Sequence, residues 1–156
     1  MAVKRLRIYA DTSVIGGCFD PEFQKDSKLF WNSVMKGDFI LVISEITLQE
    51  LTRAPEYVRS FVKTIPEESV QLFPVSDEAR ELALSYIKHG ALPEDMENDA
   101  LHIALATIAE VDAMVSWNFK HVVNLGKIRV YNGVNLERGY RPIEIRTPKE
   151  VIQVEE

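Results

Sequence analysis

Short continuous apolar blocks alternate along this chain with longer stretches in which apolar residues fall three and four apart. Residues 5–10 form the first block, compact enough for a buried strand, and it breaks off at the polar triplet Asp11, Thr12 and Ser13. Gly16 and Gly17 then permit a turn. From about 23 to 35, the positions of Phe23, Leu29, Phe30, Val34 and Met35 predict a helix that stops at Gly37. Residues 39–43 predict a second strand, apolar enough to be covered on both faces. Ser44 is placed to cap a helix carrying Ile46, Leu48 and Leu51, with Glu50 among them. Pro55 suits the first turn of a further helix striped by Tyr57, Val58, Phe61 and Val62.

Residues 70–75 predict a third strand, and Pro74 places it near a sheet edge because proline cannot donate to a ladder. Ser76 caps a helix through about Lys88, which Gly90 closes. An almost unbroken apolar helix then starts near Asn98 and Asp99. It turns at Val111 and Asp112 into a fourth strand over 112–117, which stops at a polar cluster containing Asn118 and His121. Residues 128–131 predict a fifth strand, and 143–145 a final one in a tail containing Gly133, Gly139, Pro142 and Pro148. Strands alternating with helices predict an α/β fold, with a central, mainly parallel sheet of about five strands and right-handed crossovers. Residues 1–156 are expected to form a single domain, with a core over about 5–131 and a C-terminal tail over about 132–156.

Composition changes this picture little. At 156 residues the chain can bury a substantial core, and 46% hydrophobic with 27% charged residues is ordinary for a globular protein. A single cysteine, Cys18, excludes an internal disulfide framework and fits a reducing compartment. No apolar run approaches the roughly 18 residues needed to span a bilayer, so the expectation is a soluble, cytoplasmic protein without a membrane partner. The net charge of −6 argues against a simple basic nucleic-acid binder. Its distribution is uneven: residues 1–116 carry 11 Lys/Arg against 19 Asp/Glu (net −8), and residues 117–156 carry 7 against 5 (net +2). A protein that gathers carboxylates around a divalent cation can be acidic overall, because the bound ion reverses the local sign.

The acidic positions supply the chemistry. In open parallel sheets the ligand crevice lies beyond the carboxyl ends of the strands. Asp11 follows the first strand, Glu50 lies in the helix after the second, Asp99 begins the helix before the fourth, and Asn118 follows the fourth. All four could meet on one edge. Oxygen donors without a histidine and cysteine set favour Mg²⁺ or Mn²⁺ over zinc. Three carboxylates held together repel, and without a cation at least one should have a raised pKa.

Four segments in this order resemble the PIN-domain family: Asp11 to Ser13, Ser44 to Leu51, Asp99 to Ala106, and Val115 to Phe119. Within it, the chain is similar to small single-domain proteins that include the VapC-like toxins of toxin–antitoxin pairs. The match covers roughly the first 131 residues. The resemblance implies a three-layer α/β/α domain and a metal-dependent endoribonuclease in which Asp11, Glu50 and Asp99 bind Mg²⁺ or Mn²⁺. It also implies an RNA substrate, a homodimer and a small antitoxin partner. The fourth acidic position of the family is Asn118 here, which offers a carbonyl oxygen but no charge.

Around these four, Thr12 and Ser13 could orient Asp11 or touch phosphate. His102, one turn after Asp99, could shuttle a proton, contact substrate or serve as a hydrogen-bonded core residue. Lys120, His121 and Arg129 could hold RNA phosphates or be ordinary surface charge. Trp117 could stack on a base or pack internally. Asp95 and Glu97 read as solvated charges at a helix start. A non-catalytic PIN-like module that binds nucleic acid or a partner is the alternative. A flavodoxin-like nucleotide binder fits the α/β order but lacks a glycine-rich phosphate loop.

Overall fold

The computed structural model describes residues 5–152. Five parallel strands form one sheet in the order β3-β2-β1-β4-β5: β1 (Leu6–Ala10), β2 (Phe39–Ser44), β3 (Val70–Phe73), β4 (Ala113–Val115) and β5 (Ile145–Arg146). Between them run α1 (Thr12–Gly16), α2 (Gln24–Met35), α3 (Glu45–Leu51), α4 (Glu56–Val62), α5 (Asp77–Lys88), α6 (Glu97–Ile108) and α7 (Leu125–Glu137), with α8 (Pro148–Val151) after β5.

The side-chain alternation of the inner strands sorts the core into two layers. Ile8 and Ala10 of β1, Leu41 and Ile43 of β2, and Ala113 and Val115 of β4 face one way. There they pack with Val14, Phe30, Trp31, Val34 and Val58 from α1, α2 and α4. Tyr9, Val42 and Met114 face the other way, onto Leu82, Tyr86, Leu101, Ile103 and Leu105 of α5 and α6, and Tyr131 and Val134 of α7. The result is the expected three-layer α/β/α arrangement. Helix α6 is buried nearly all round from Ala100 to Thr107, which explains its unbroken apolar run.

Residues 128–131, expected as a strand, lie inside α7. Asn124 caps that helix by accepting from the Lys127 amide at 3.2 Å, and Tyr131, Val134 and Asn135 form its buried stripe at i, i+3 and i+4. A four-residue apolar run does not distinguish strand from helix by itself, and Gly133, placed in the tail, sits in the helix with open space around it. The fifth strand comes instead from Ile145 and Arg146, which pair with Met114 and Val115. It meets the predicted final strand in one residue. The segment after residue 131 therefore extends the sheet, and Val151 and Ile152 pack against the α1–α2 layer. The turn expected at Gly16 and Gly17 is the end of α1 followed by a 3-10 turn over Gly17–Phe19. Strand β3 ends just before Pro74 at the sheet edge, as expected.

Candidate metal centre

Strand order places the crevice. From central β1 the chain moves outward to β2 and β3 on one side, while β4 and β5 lie on the other. Beyond the carboxyl ends of β1 and β4 no crossover fills the space, and ligands in open α/β sheets bind at such switch points. Asp11 stands just beyond the last residue of β1, its backbone N–H bonded to Val115 O at 3.3 Å, and caps α1.

Asp11 is 4% exposed and its two carboxyl oxygens are held differently. Oδ1 accepts from the Ser13 amide at 3.1 Å and the Ser13 hydroxyl at 2.5 Å, while Oδ2 accepts from the Ser116 hydroxyl at 2.5 Å. Burial pushes its pKa above the usual carboxylate range, against the lowering effects of nearby His102 and the serine bonds. Ser13 thus orients Asp11, one of its two expected roles. Ser116 was not singled out in the sequence, although it stands at a strand end two residues before Asn118.

Glu50 reaches the crevice from α3. Its Oε1 accepts from the Thr12 hydroxyl at 2.8 Å and lies 2.5 Å from His102 Nε2. Burial works against its ionisation, but the bonds from His102 and Thr12 outweigh it, so its pKa is lowered. Asp99, in the first turn of α6, accepts from Asn118 Nδ2 at 3.2 Å through Oδ2. Its pKa is raised, first by burial and then by the charge of Asp11. The charges of Asp11 and Glu50 both act on Asp99, which brings three distant parts of the chain into one electrostatic group.

Asn118 faces the site with its nitrogen rather than its oxygen. Two backbone N–H groups, of Lys120 at 3.1 Å and His121 at 2.9 Å, converge on Oδ1. Backbone amides can only donate, so the oxygen must lie there and the NH2 must point at Asp99. The carbonyl expected as a ligand is therefore engaged in holding its own turn.

The remaining predicted residues divide by burial. His102 is 2% exposed and both ring nitrogens have partners, Glu50 and the Tyr9 hydroxyl, so it is a buried link behind the crevice. Lys120 and Arg129 are exposed. His121 is buried and contributes to the field at Asp99, and its Nδ1 has no hydrogen-bond partner among the described residues. Trp117 packs internally: its ring stacks on Phe23 with centroids 4.6 Å apart, and its Nε1 donates to Ser27 at 2.8 Å. Phe119, next to Asn118, is half-exposed. Burial raises the Cys18 thiol to about 11, consistent with an incidental cysteine.

A cleft of about 430 Å³ opens beside Glu50 and Asp99 and is lined by Glu94, Asp95, Met96, Glu97 and Asn98 as well. Asp95 and Glu97 are solvated, as expected, yet they also belong to this rim. Glu94 joins them, an acid that only the folded proximity of the loop before α6 reveals. Among the described residues no three His, Cys, Asp or Glu side chains close into a compact chelating cluster. The donor set still fits a hard cation. Glu50 Oε2 and Asp99 Oδ1 accept no hydrogen bond among the described residues. Mg²⁺ commonly takes one or two carboxylates and keeps its waters.

A parallel α/β/α sheet with a carboxylate group at its switch point defines the class of protein. A sequence profile of the PIN domain matches residues 8–116, and the chain belongs to that family. Among solved structures it resembles VapC20 of Mycobacterium tuberculosis, a Sarcin-Ricin loop cleaving toxin, with a TM-score of 0.57 and 16% identity over 73% of this chain and 92% of that one. A toxin–antitoxin complex from Klebsiella pneumoniae matches with a TM-score of 0.58 and 15% identity, over 90% of this chain and 97% of that one. VapBC2 from Rickettsia felis, bound to a DNA fragment from their promoter, matches with a TM-score of 0.53 and 14% identity, over 91% and 98%. At these identities the likeness concerns the fold. No match is found among curated proteins.

Proposed function

We propose that this chain is a divalent-metal-dependent endoribonuclease, the toxin of a toxin–antitoxin pair, acting in the cytoplasm on RNA phosphodiesters. The observation that supports the reading is that Glu50 and Asp99 line one cleft, with the charges of Asp11 and Glu50 acting on Asp99 and both aspartates pushed towards the protonated form. Such a group is costly without a cation and favourable with one. Glu50 Oε2 and Asp99 Oδ1 are the oxygens that would hold Mg²⁺ or Mn²⁺, together with the Asp11 carboxylate. When bound, the ion supplies an activated water and neutralises charge developing on the phosphate.

The chain's own groups have separate tasks. Ser13 and Ser116 fix Asp11, Asn118 fixes Asp99, and Thr12 with His102 fixes Glu50. Lys120, exposed two residues after Asn118, can meet a phosphate entering the acidic cleft. Family membership and the toxins among the structural neighbours support the toxin assignment, and with it a small antitoxin partner. The homodimer belongs to the same proposal, with half-exposed Leu48 and Tyr57 on the apolar α3–α4 pair as candidate contacts.

The test is cleavage of RNA by wild type, Asp11→Asn and Asp99→Asn, each with Mn²⁺ and with EDTA. Cleavage is expected only from wild type with Mn²⁺, and equal cleavage throughout would refute the proposal. One observation favours a second reading, a non-catalytic PIN-like module: the fourth acidic position is an asparagine whose carbonyl is already engaged. Calorimetric titration with Mn²⁺ separates the two, because that module would take up no ion at a site sensitive to Asp99→Asn.

A further inference from the structure

His102 is buried between two oxygens. Its Nε2 lies 2.5 Å from Glu50 Oε1 and its Nδ1 lies 2.6 Å from the Tyr9 hydroxyl. Tyr9 is fully buried, and its hydroxyl also lies 2.8 Å from Ser44 Oγ. The two rings meet edge to face, with centroids 5.7 Å apart. This line of contacts starts at the end of β2, crosses β1 and α6, and finishes on α3 at the crevice.

Hydrogen-bond chemistry gives the line a direction. An ionised carboxylate only accepts, so the bond to Glu50 needs an imidazole hydrogen on Nε2. In a neutral ring Nδ1 is then an acceptor, and the Tyr9 O–H is the donor within reach. The Tyr9 oxygen is left to accept from Ser44. Each hydroxyl donates towards the crevice, and Glu50 Oε1 receives two donors, from His102 and Thr12. Its partner oxygen Oε2 is left bare.

We infer that Tyr9 and His102 are positioning residues, in which the buried Tyr9 hydroxyl selects the Nε2–H form of His102 so that Glu50 presents Oε2 alone to a divalent cation. This rests on the reading of Glu50 as a cation-binding group. Glutamate has three side-chain torsions and α3 is only seven residues long. Without the relay Glu50 would sample orientations that a cation must then restrict. Partners that orient metal ligands in this way typically change metal affinity by about 10- to 100-fold.

The experiment uses the full chain. Long-range proton–nitrogen NMR of the metal-free protein reads the His102 tautomer, and calorimetric titration with Mn²⁺ reads affinity, in wild type, Tyr9→Phe, His102→Gln and His102→Leu. The expected result is an Nε2–H ring in wild type and a mixture with Nδ1–H in Tyr9→Phe. Mn²⁺ affinity should fall about 10- to 100-fold in Tyr9→Phe and His102→Leu. His102→Gln retains an N–H for Glu50 and should recover most of that loss. A merely structural histidine would move neither the tautomer nor the difference between Gln and Leu. An Nδ1–H or doubly protonated ring in wild type overturns the inference, as does a folded Tyr9→Phe with unchanged affinity. Where Tyr9→Phe does not fold, equal Mn²⁺ affinity of the Gln and Leu variants overturns it. A wild type that takes up no Mn²⁺ overturns the nuclease reading and the purpose of the relay together, whereas Mn²⁺ bound equally by wild type and Tyr9→Phe overturns the relay alone.

Discussion

Restoring the family's carboxylate with Asn118→Asp should weaken the metal-free protein and strengthen its response to metal. The Asn118 amide donates to Asp99 Oδ2 at 3.2 Å, so the substitution replaces an attractive contact with two like charges at about that distance. Unit charges some 4 Å apart interact by about 4 kcal/mol at an effective dielectric of 20. Both side chains are partly exposed, which reduces the repulsion to roughly half or less, and the lost bond to a charged acceptor adds about 1.5 kcal/mol. The net cost is about 2–4 kcal/mol, a fall in Tm of roughly 5–12 °C for a chain of this size. The new side chain can still accept from the Lys120 and His121 amides, so the turn itself should survive.

The pH dependence has a definite sign. The pKa of Asp99 is already raised in the folded protein, and a second carboxylate raises it further. A raised acid means that the folded state holds its proton more tightly than the unfolded chain. The penalty is therefore absent below the unfolded value near 4, grows as pH rises, and is complete above the folded value. Thermal unfolding in EDTA at about pH 5 and about pH 8 measures it, and repeating the scans with Mn²⁺ measures its relief. A metal-free Asn118→Asp within about 1 °C of wild type at pH 8 would refute the reasoning. So would a deficit that does not shrink at pH 5, or an Mn²⁺ gain no larger than that of wild type.

Three further substitutions probe the scaffold. Gly17→Ala would bring a methyl group to 2.5 Å from Ser27 Oγ and 2.8 Å from Trp117 Nε1, so a loss of about 1–3 kcal/mol is expected. A shifted tryptophan emission should accompany it, and unaltered emission and stability would contradict the packing. Asn135 is fully buried, accepts from the Tyr86 hydroxyl at 2.5 Å and lies 3.4 Å from Thr107 Oγ1. Asn135→Leu should therefore cost about 1–3 kcal/mol in urea unfolding, because the Tyr86 hydroxyl keeps only Thr107 Oγ1 at 3.4 Å, while Thr107 still donates to the Ile103 carbonyl at 2.9 Å. Gly133→Ala should stabilise by about 0.5–1 kcal/mol, because the position is helical with open space around it; destabilisation would argue against a helix there.

The order of apolar runs determined most of this protein by itself. A run such as residues 39–43 buries only in a sheet covered on both faces, and the regular return of helical stripes makes that sheet parallel with its crevice at the strand ends. Asp11, Glu50 and Asp99 stand out in the sequence as candidates because each is a carboxylate at or near the end of an apolar element, and the fold brings Glu50 and Asp99 to one cleft. Only the tertiary structure decided between strand and helix for residues 128–131, since four apolar residues satisfy either period until a neighbouring surface selects one. The same holds for Ile145 and Arg146, whose place is set by the free edge of β4.

The direction in which Asn118 points also needed the fold, because Lys120 and His121 present their amides to its oxygen only after the turn has closed. Tyr9 looked in the sequence like one more aromatic in a strand. Its hydroxyl gained a role only when α6 laid His102 across it. Long-range hydrogen bonds of this kind have no period, and a chain read residue by residue cannot display them.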